Sequence, residues 1–292
     1  MDFAVTAGYR ALREHAAWIN LSSRGKLRMT GEDRARLLHA MSTNHIEQLK
    51  PGQGCYTFFL NAQGRILADA NVLCFEDHFL IDTEPETRQK LLEHLDRYII
   101  ADDVTLEDVT GQWMTIAVEG PEAARPDLPP HSWVAEGAKL IARLNSTGSE
   151  GYFVLAPAGN NIAFGFPEAT AGDARVVRIE NGRPRYGEEI TERQLVAETD
   201  QLHAVHFNKG CYLGQEIVER VRSQAHIHRI LRRLEIDAAI PPAAGFKNDQ
   251  AEIASAVFSP ALGKVAALAY VRIPYAEPRS ELKIGEAAAR VR

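Results

Sequence analysis

The chain has 292 residues, of which 45% are hydrophobic, and its 33 basic and 39 acidic residues give a net charge of −6 at pH 7. This length predicts about two domains, and the hydrophobic content excludes a largely disordered chain. The negative charge argues against broad non-specific binding of nucleic acid. No apolar run approaches the roughly 18 residues of a membrane span, and no Arg- and Ser-rich leader begins the chain. We therefore expect a bacterial cytoplasmic protein, with the mitochondrial matrix as the less favoured compartment.

The three cysteines, Cys55, Cys74 and Cys211, have no CxxC spacing. Neither a disulfide framework nor a four-cysteine zinc site can be built from an odd set of this kind. Cys55 and Cys74 lie within apolar runs, so we expect both to be buried. Cys211 remains as a candidate for a lone reactive thiol.

The first predicted elements are a helix, a hairpin and a second helix. Residues 30–49 have apolar side chains at helical spacing, with Thr30 and Asp33 as an imperfect capping box. Two β-rich runs, 56–60 and 66–75, are joined by a turn that contains Gly64, which predicts a hairpin. A second helix is predicted over residues 84–100, with a capping box from Thr83 and Glu86 and an apolar stripe that includes Tyr98 and Ile99.

The middle of the chain mixes strands and helices without regular alternation, so we predict an α+β fold rather than a doubly wound one. Four short strands are predicted, over residues 104–106, 113–118, 139–144 and 152–155. The proline-rich segment 126–130 is predicted to be a loop. A helix over residues 171–180 should end at Asn181 and Gly182, a suitable C-terminal cap.

The last part of the chain differs from the rest in the length and spacing of its predicted strands. Its predicted strands are short and are separated by prolines; they cover residues 231–236, 251–258, 264–271 and 281–284. This pattern predicts a small all-β domain. We place the boundary near residue 228, giving a body over residues 1–228 and a C-terminal domain over 229–292.

Common enzyme signatures, such as GxSxG, HExxH and the phosphate-binding loop, are absent from the sequence. His226 and His228 would share one face of a strand, as half of a metal site would. The neighbouring Arg229, Arg232 and Arg233 would repel a cation, so we favour a solvated or phosphate-facing strand and expect no metal.

The run Asn208–Glu216 combines two glycines, Gly210 and Gly214, with a thiol and an aromatic ring. Such a loop can turn tightly and present one side chain. We expect Lys209 to favour the thiolate of Cys211, so that both belong to a catalytic or reactive centre. The alternative is a turn in which the cysteine is a small buried hydrophobe.

The sequence KGCYLGQE, Lys209 to Glu216, resembles the signature of the YgfZ family of folate-binding proteins. That family is related to the T-protein, the aminomethyltransferase of the glycine cleavage system. Weaker similarity covers nearly the whole chain and includes residues 27–33, 59–69, 178–184 and 263–266. The resemblance implies a ring-like, aminomethyltransferase-type α+β body with a central folate channel, followed by a small β-barrel.

The resemblance also assigns roles to individual positions. Asp69 corresponds to an aspartate near the reactive folate nitrogens, although its alternative is a solvent-facing strand residue. Residues 147–153 correspond to the segment that anchors the pteridine, with Phe153 in place of one acid. Asn44 lies in Thr43-Asn44-His45, where relatives often have Thr-Asn-Asp. The expected cofactor-binding set is Asn44, Asp69, Tyr212, Gln215, Glu216, Arg220 and Arg222.

Three functions follow from these patterns. The resemblance implies a tetrahydrofolate-binding accessory protein that supports iron-sulfur cluster assembly or repair through Cys211, with iron-sulfur proteins or assembly factors as partners. The second possibility is a folate-dependent aminomethyl- or methyltransferase. The third is binding of RNA, in connection with tRNA modification, through Arg220, Arg222, Arg229, Arg232 and Arg233; a solvated basic edge is the alternative for these arginines.

Overall fold

The computed structural model describes residues 5–124, 127–160, 162–223 and 227–292. These ranges contain five α-helices: α1 Ala7–Glu14, α2 Arg34–Met41, α3 Arg88–Asp96, α4 Ala171–Glu180 and α5 Gln215–Ser223. They also contain fifteen strands: β1 Ala17–Asn20, β2 Gly25–Thr30, β3 Gly54–Leu60, β4 Ile66–Cys74, β5 His78–Thr83, β6 Thr105–Asp108, β7 Trp113–Glu119, β8 Trp133–Glu136, β9 Lys139–Ala142, β10 Gly151–Pro157, β11 Arg229–Ile236, β12 Ala251–Ser259, β13 Lys264–Arg272, β14 Glu281–Ile284 and β15 Ala287–Val291.

The strands form three five-stranded sheets. The first sheet has the order β1-β7-β10-β9-β8, the second β3-β4-β5-β2-β6 and the third β12-β13-β11-β15-β14. All the described ladders are antiparallel. Sheets of this kind, together with helices at separate places in the chain, make an α+β fold.

Strand β4 is buried on both faces of the second sheet. Its residues Ala68, Ala70 and Val72 share a core with α2 and α3. Because side chains alternate along a strand, Asp69 and Asn71 point to the opposite face. That face looks toward the first sheet, which shares a core with Leu73. The alternation therefore places two polar side chains between the two sheets.

The predicted hairpin and the predicted helix before Asn181 are both confirmed. Strands β3 and β4 pair in register around Gly64, whose φ is +69°. Helix α4 begins with a capping box between Thr170 and Asp173, and it ends at Asn181 before Gly182, whose φ is +74°. In both cases the local turn and cap residues are sufficient to fix the element.

The helix predicted over residues 30–49 is wrong at both ends. Thr30 belongs to β2, and α2 ends at Met41 because Ser42 is extended and pairs with Phe59. The expected capping box is not formed, since the Asp33 carboxylate accepts a hydrogen bond from the Asp103 amide instead. Tertiary pairing therefore overrides the helical periodicity.

The helix predicted over residues 84–100 is also too long. A short 3₁₀ turn, Pro85–Thr87, precedes α3, and the expected Thr83–Glu86 box is absent because the Thr83 hydroxyl donates to the Asp69 carbonyl. Leu91 and Leu95 of α3 are buried, as predicted. Tyr98 is exposed, whereas Ile99 is partly buried and packs on the same core as Leu91 and Leu95.

Sequence patterns missed helix α1 and strands β1, β2, β5, β8 and β15. In β2 the apolar pattern of a buried strand is interrupted by Lys26, a residue type that usually faces solvent. Its ammonium is only 1% exposed and lies 2.7 Å from the Asp82 carboxylate of β5. Burial of a lysine requires such a partner, and the sequence does not reveal which carboxylate it is.

The third sheet begins at Arg229 and packs on α4 through Ile179, Leu231 and Leu268. The four predicted strands of this region are present, but the predicted barrel is not confirmed. Among the described residues the ladder leaves β12 and β14 as edges. Side chains bridge these edges: Asn248 donates to the Lys283 carbonyl, and Gln250 accepts from the Lys283 amide. The boundary at residue 228 stays a prediction.

Candidate functional site

A cavity of about 350 Å³ lies between the first and second sheets. We call it the central cavity. Its walls come from β1, β4, the loop 145–147, α4 and the segment 183–188 after α4. Asp69 and Asn71, the two polar side chains on the inner face of β4, both line it. The cavity is large enough for an organic ligand.

Asp69 is the chemically distinctive residue of this cavity. It is only 6% exposed, and its Oδ2 accepts a hydrogen bond of 2.7 Å from the Tyr56 hydroxyl. Its other oxygen, Oδ1, is buried and has no hydrogen-bond partner among the described residues. Burial and the nearby charge of Glu84 raise the pKa of Asp69 to about 6. An unpartnered buried carboxylate oxygen is costly unless a ligand donates to it.

The loop 145–147 is held by a buried acid beneath it. Both carboxylate oxygens of Glu119 accept hydrogen bonds, one from the amide and hydroxyl of Ser146 and the other from those of Thr147. Burial raises the pKa of Glu119. Phe153 of β10 lines the cavity next to this loop. This wall is therefore rigid and partly apolar, as suits a flat aromatic ring.

The motif Lys209 to Glu216 lies outside the lining of the central cavity. Cys211 is exposed, Cys55 is partly buried and Cys74 is buried. This order agrees with the sequence prediction, except that Cys55 is less enclosed than expected. Burial raises the pKa of Cys55 to about 12 and raises that of Cys74 as well.

The hydrogen bonds of the Lys209 side chain go to the backbone and not to Cys211. Its ammonium is buried and donates to three backbone carbonyls, those of His39, Ser42 and Asn44, at 2.6, 2.6 and 2.9 Å. These carbonyls lie at and just after the C-terminal end of α2, where backbone oxygens lack helical partners. Burial lowers the pKa of Lys209 to about 7. Its hydrogen bonds cap α2, and its charge lowers the pKa of Cys55 against the larger opposing effect of burial; its predicted effect on Cys211 stays a prediction.

The two motif glycines have different roles. Gly214 has a φ of +82°, and an added Cβ would lie 2.6 Å from the Asn61 carbonyl oxygen. Gly210 has no positive φ, and its added Cβ would meet only the His39 ring nitrogen at 3.9 Å. Only Gly214 is therefore required by the backbone.

Replacing Gly214 with Ala should lower the free energy of unfolding by about 2 kcal/mol, because the left-handed backbone and the close carbonyl both oppose a Cβ. Urea unfolding measures this change. Gly210→Ala is the matched control and should stay within about 0.5 kcal/mol of the wild type. Equal effects of the two substitutions would contradict the distinct roles.

The remaining predicted cofactor contacts in this region are structural or exposed. Tyr212 is buried beside Lys209, whose ammonium lies 4.9 Å from its ring centroid. Gln215 accepts from the Tyr212 amide at the start of α5. Asn44 donates to the carbonyls of Tyr56 and His203. Glu216 is exposed. The structure therefore groups these residues apart from Asp69.

The predicted arginine contacts also lie elsewhere. Arg222 stacks on the ring of Phe207 at 4.3 Å and lines a second, mostly apolar cavity of about 250 Å³. Arg220 is exposed on α5. Four arginines of the basic run are paired with carboxylates, which weakens the case for an RNA surface: Arg222 with Glu219, Arg229 with Glu198 and Glu252, Arg232 with Asp200, and Arg233 with Glu235.

His226 of the proposed histidine pair lies outside the described residues. In the parts of the chain that the structure describes, no group of three His, Cys, Asp or Glu side chains is arranged to hold a metal ion. None of the described helices is long and apolar enough to cross a membrane.

Sequence reasoning missed Tyr56 as a site residue. The signal was present in the hairpin: in the register of β3 and β4, Tyr56 faces Asn71 and Phe58 faces Asp69. Paired residues project to the same face, so the register alone places Tyr56 beside Asp69. Arg24 and Glu84, which also line the cavity, had no such local signal.

Comparison with known proteins agrees with this architecture. A crystal structure of the glycine cleavage system aminomethyltransferase T from Bartonella henselae superposes with a TM-score of 0.85 at 20% identity, covering 97% of this chain and 87% of that one. The protein thus has an aminomethyltransferase-like fold. Residues 1–126 match the family described as the GCVT N-terminal domain.

Sequence relatives extend this similarity. An aminomethyltransferase from Rubrobacter xylanophilus is 28% identical over 91% of this chain and 79% of its own length. A chloroplastic protein of Arabidopsis thaliana, named a putative transferase, is 28% identical over 77% of this chain. The matched region spans 57% of the length of the Arabidopsis protein.

Proposed function

We propose that this protein binds tetrahydrofolate in the central cavity and acts as an accessory factor in iron-sulfur cluster assembly or repair. The observation that carries the folate part is the buried, unpartnered Oδ1 of Asp69 in a cavity of ligand size. The names of the relatives and the aminomethyltransferase-like fold support a ligand of this class.

The described residues suit a reduced folate. Asp69 provides a buried acceptor for ring N–H groups, and Phe153 and Tyr56 provide apolar and aromatic surface for a flat ring. Bound tetrahydrofolate would supply one-carbon chemistry at its reduced nitrogens. The protein's own part is to bind and orient the ring and to hold the proton shared by Tyr56 and Asp69.

The iron-sulfur part rests on the resemblance of Lys209 to Glu216 to the YgfZ signature and on the exposure of Cys211. A cluster usually has four protein ligands, so one thiolate cannot hold it alone. Any contact of Cys211 with a cluster is therefore shared with the ligands of a client protein. We propose a bacterial cytoplasmic setting for this role.

The second candidate is a folate-dependent aminomethyltransferase. The names of several relatives favour it. Calorimetry with tetrahydrofolate, followed by a transfer assay with an aminomethyl-lipoyl donor, separates the two candidates. Binding without turnover supports the accessory role, whereas turnover supports the transferase. No heat of binding at millimolar tetrahydrofolate would remove folate from both.

Asp69→Asn should weaken tetrahydrofolate binding by about 10- to 100-fold, because a hydrogen bond to a charged group contributes about 1.5–3 kcal/mol. The pKa of about 6 adds a pH test. As the pH falls through 6, Asp69 gains a proton and ceases to be a charged acceptor, so the wild-type affinity should be lower at pH 5 than at pH 7. Calorimetry at both pH values measures this.

The Asp69→Asn protein should lose this pH dependence. Asp77→Asn is the matched control, because Asp77 is 85% exposed on the turn after β4 and lies outside the cavity lining. It should bind within about twofold of the wild type. Unchanged binding by Asp69→Asn would rule out its carboxylate as the folate acceptor.

A further inference from the structure

In the part of the chain that the structure describes, one cation of the central cavity has no carboxylate partner. Five arginines line the cavity, and four of them are paired with carboxylates: Arg24 with Asp82 and Glu84, Arg175 with Glu188, Arg178 with Glu188 and Glu189, and Arg185 with Glu84 and Glu86. Among the described residues, no carboxylate lies within ion-pair distance of the fifth, Arg183.

The backbone of Arg183 is fixed, although its guanidinium meets no carboxylate within residues 5–124, 127–160, 162–223 and 227–292. Its amide donates to the Arg178 carbonyl at 2.9 Å, and its carbonyl accepts from the Arg178 side chain at 2.7 Å. Gly182, with a φ of +74°, turns the chain so that Arg183 faces the cavity. A fixed backbone limits the entropy that the side chain would lose on binding a ligand.

The guanidinium of Arg183 lies against Tyr56, with its central carbon 5.7 Å from the ring centroid. The hydroxyl of the same tyrosine donates to Asp69. Tyr56 therefore stands between an unpaired cation and an unpartnered carboxylate oxygen. A ligand that satisfies both needs N–H donors at one end and an anionic group at the other, with a flat or apolar part between them.

We propose that Arg183 anchors a carboxylate on the tail of the ligand in the central cavity, so that the site selects a pterin with an anionic tail over the pterin ring alone. This inference rests on the proposed folate binding. A guanidinium presents paired N–H donors that match a carboxylate. In tetrahydrofolate the glutamate of the tail carries that carboxylate, and the aminobenzoyl ring occupies the part beside Tyr56.

The test is calorimetry of the full chain with two ligands, tetrahydrofolate and 6-methyltetrahydropterin, which lacks the tail. Arg183→Gln should weaken tetrahydrofolate binding by about 10- to 100-fold and leave the binding of the tetrahydropterin within about twofold. Arg183→Lys keeps the charge but loses the paired donors, so its loss for tetrahydrofolate should be smaller.

Arg28→Gln is the matched control, because it removes the same charge from an exposed ion pair with Glu107 outside the cavity lining. It should bind tetrahydrofolate within about threefold of the wild type. Thermal unfolding of each variant establishes that it is folded.

Each of the remaining results would contradict the Arg183 anchor, the selection of the tail or the folate site itself. If Arg183→Gln binds tetrahydrofolate like the wild type, the anchor is wrong and folate binding stands. If it loses both ligands equally, Arg183 acts on the ring or on the fold, and the selection of the tail is wrong. If the wild type binds neither ligand, the proposed folate site fails, and the anchor fails with it.

Discussion

A Cys211→Ala protein is expected to fold and to bind tetrahydrofolate like the wild type, yet to give no support to iron-sulfur enzymes in a bacterial strain that lacks the wild-type protein. The thiol is exposed, so its loss removes little packing, and the free energy of unfolding should change by less than about 0.5 kcal/mol. It also lies outside the cavity lining, so folate binding should be unaffected. Iron-sulfur enzyme activities in the complemented strain measure the effect.

The control for this experiment is Cys55→Ala, which removes a less accessible thiol and should retain support. In the folded wild type, Cys211 should alkylate faster than Cys55 and Cys74, because burial raises the pKa of both other thiols and restricts access to them. Mass spectrometry after timed alkylation gives the order. Full support by Cys211→Ala would make the thiol dispensable and refute the accessory mechanism.

Lys209→Met should lower the free energy of unfolding by about 3 kcal/mol. Three backbone carbonyls lose their donor, and each buried group left unsatisfied costs about 1–3 kcal/mol. Methionine avoids the cost of burying an ammonium, which offsets part of this loss. The helix end also loses a cation near its C-terminus, where positive charge is favourable. Urea unfolding measures the change.

The matched control is Lys264→Met, which removes the same charge from a partly exposed ion pair with Asp237. It should change stability by less than about 1 kcal/mol. Equal losses for the two variants would contradict the capping role of Lys209. Together with Cys211→Ala, this comparison separates the residue that shapes the motif from the residue that acts.

The structure also explains why the loop that contains Lys209 and Cys211 lies against the C-terminal end of α2. The Leu213 amide donates to the Ala40 carbonyl, next to the carbonyls held by Lys209. Both contacts satisfy the C-terminal end of α2, which has no glycine cap of its own. The motif therefore combines a structural part, Lys209 and Gly214, with an exposed thiol, that of Cys211.

What the sequence determined by itself was local. The hairpin around Gly64 and the capped helix α4 followed from turn and cap residues within a few positions of one another. The burial of Cys74 followed from its apolar neighbours, whereas the sequence left both exposure and burial open for Cys211. Short-range signals of this kind do not depend on the rest of the fold.

The tertiary structure decided which charges are satisfied and which are left free. The sequence places Lys209 two residues before Cys211, but its ammonium donates to carbonyls about 170 positions earlier in the chain. Arg183 resembles the other cavity arginines in sequence; among the described residues, carboxylates in the segment after α4 and in distant parts of the chain pair with the others but not with it. Partners far apart in the chain are brought together only by packing of the sheets. The Asp69 oxygen without a hydrogen-bond partner and the Arg183 cation without a carboxylate partner, both judged among the described residues, could therefore be recognised only in the folded protein.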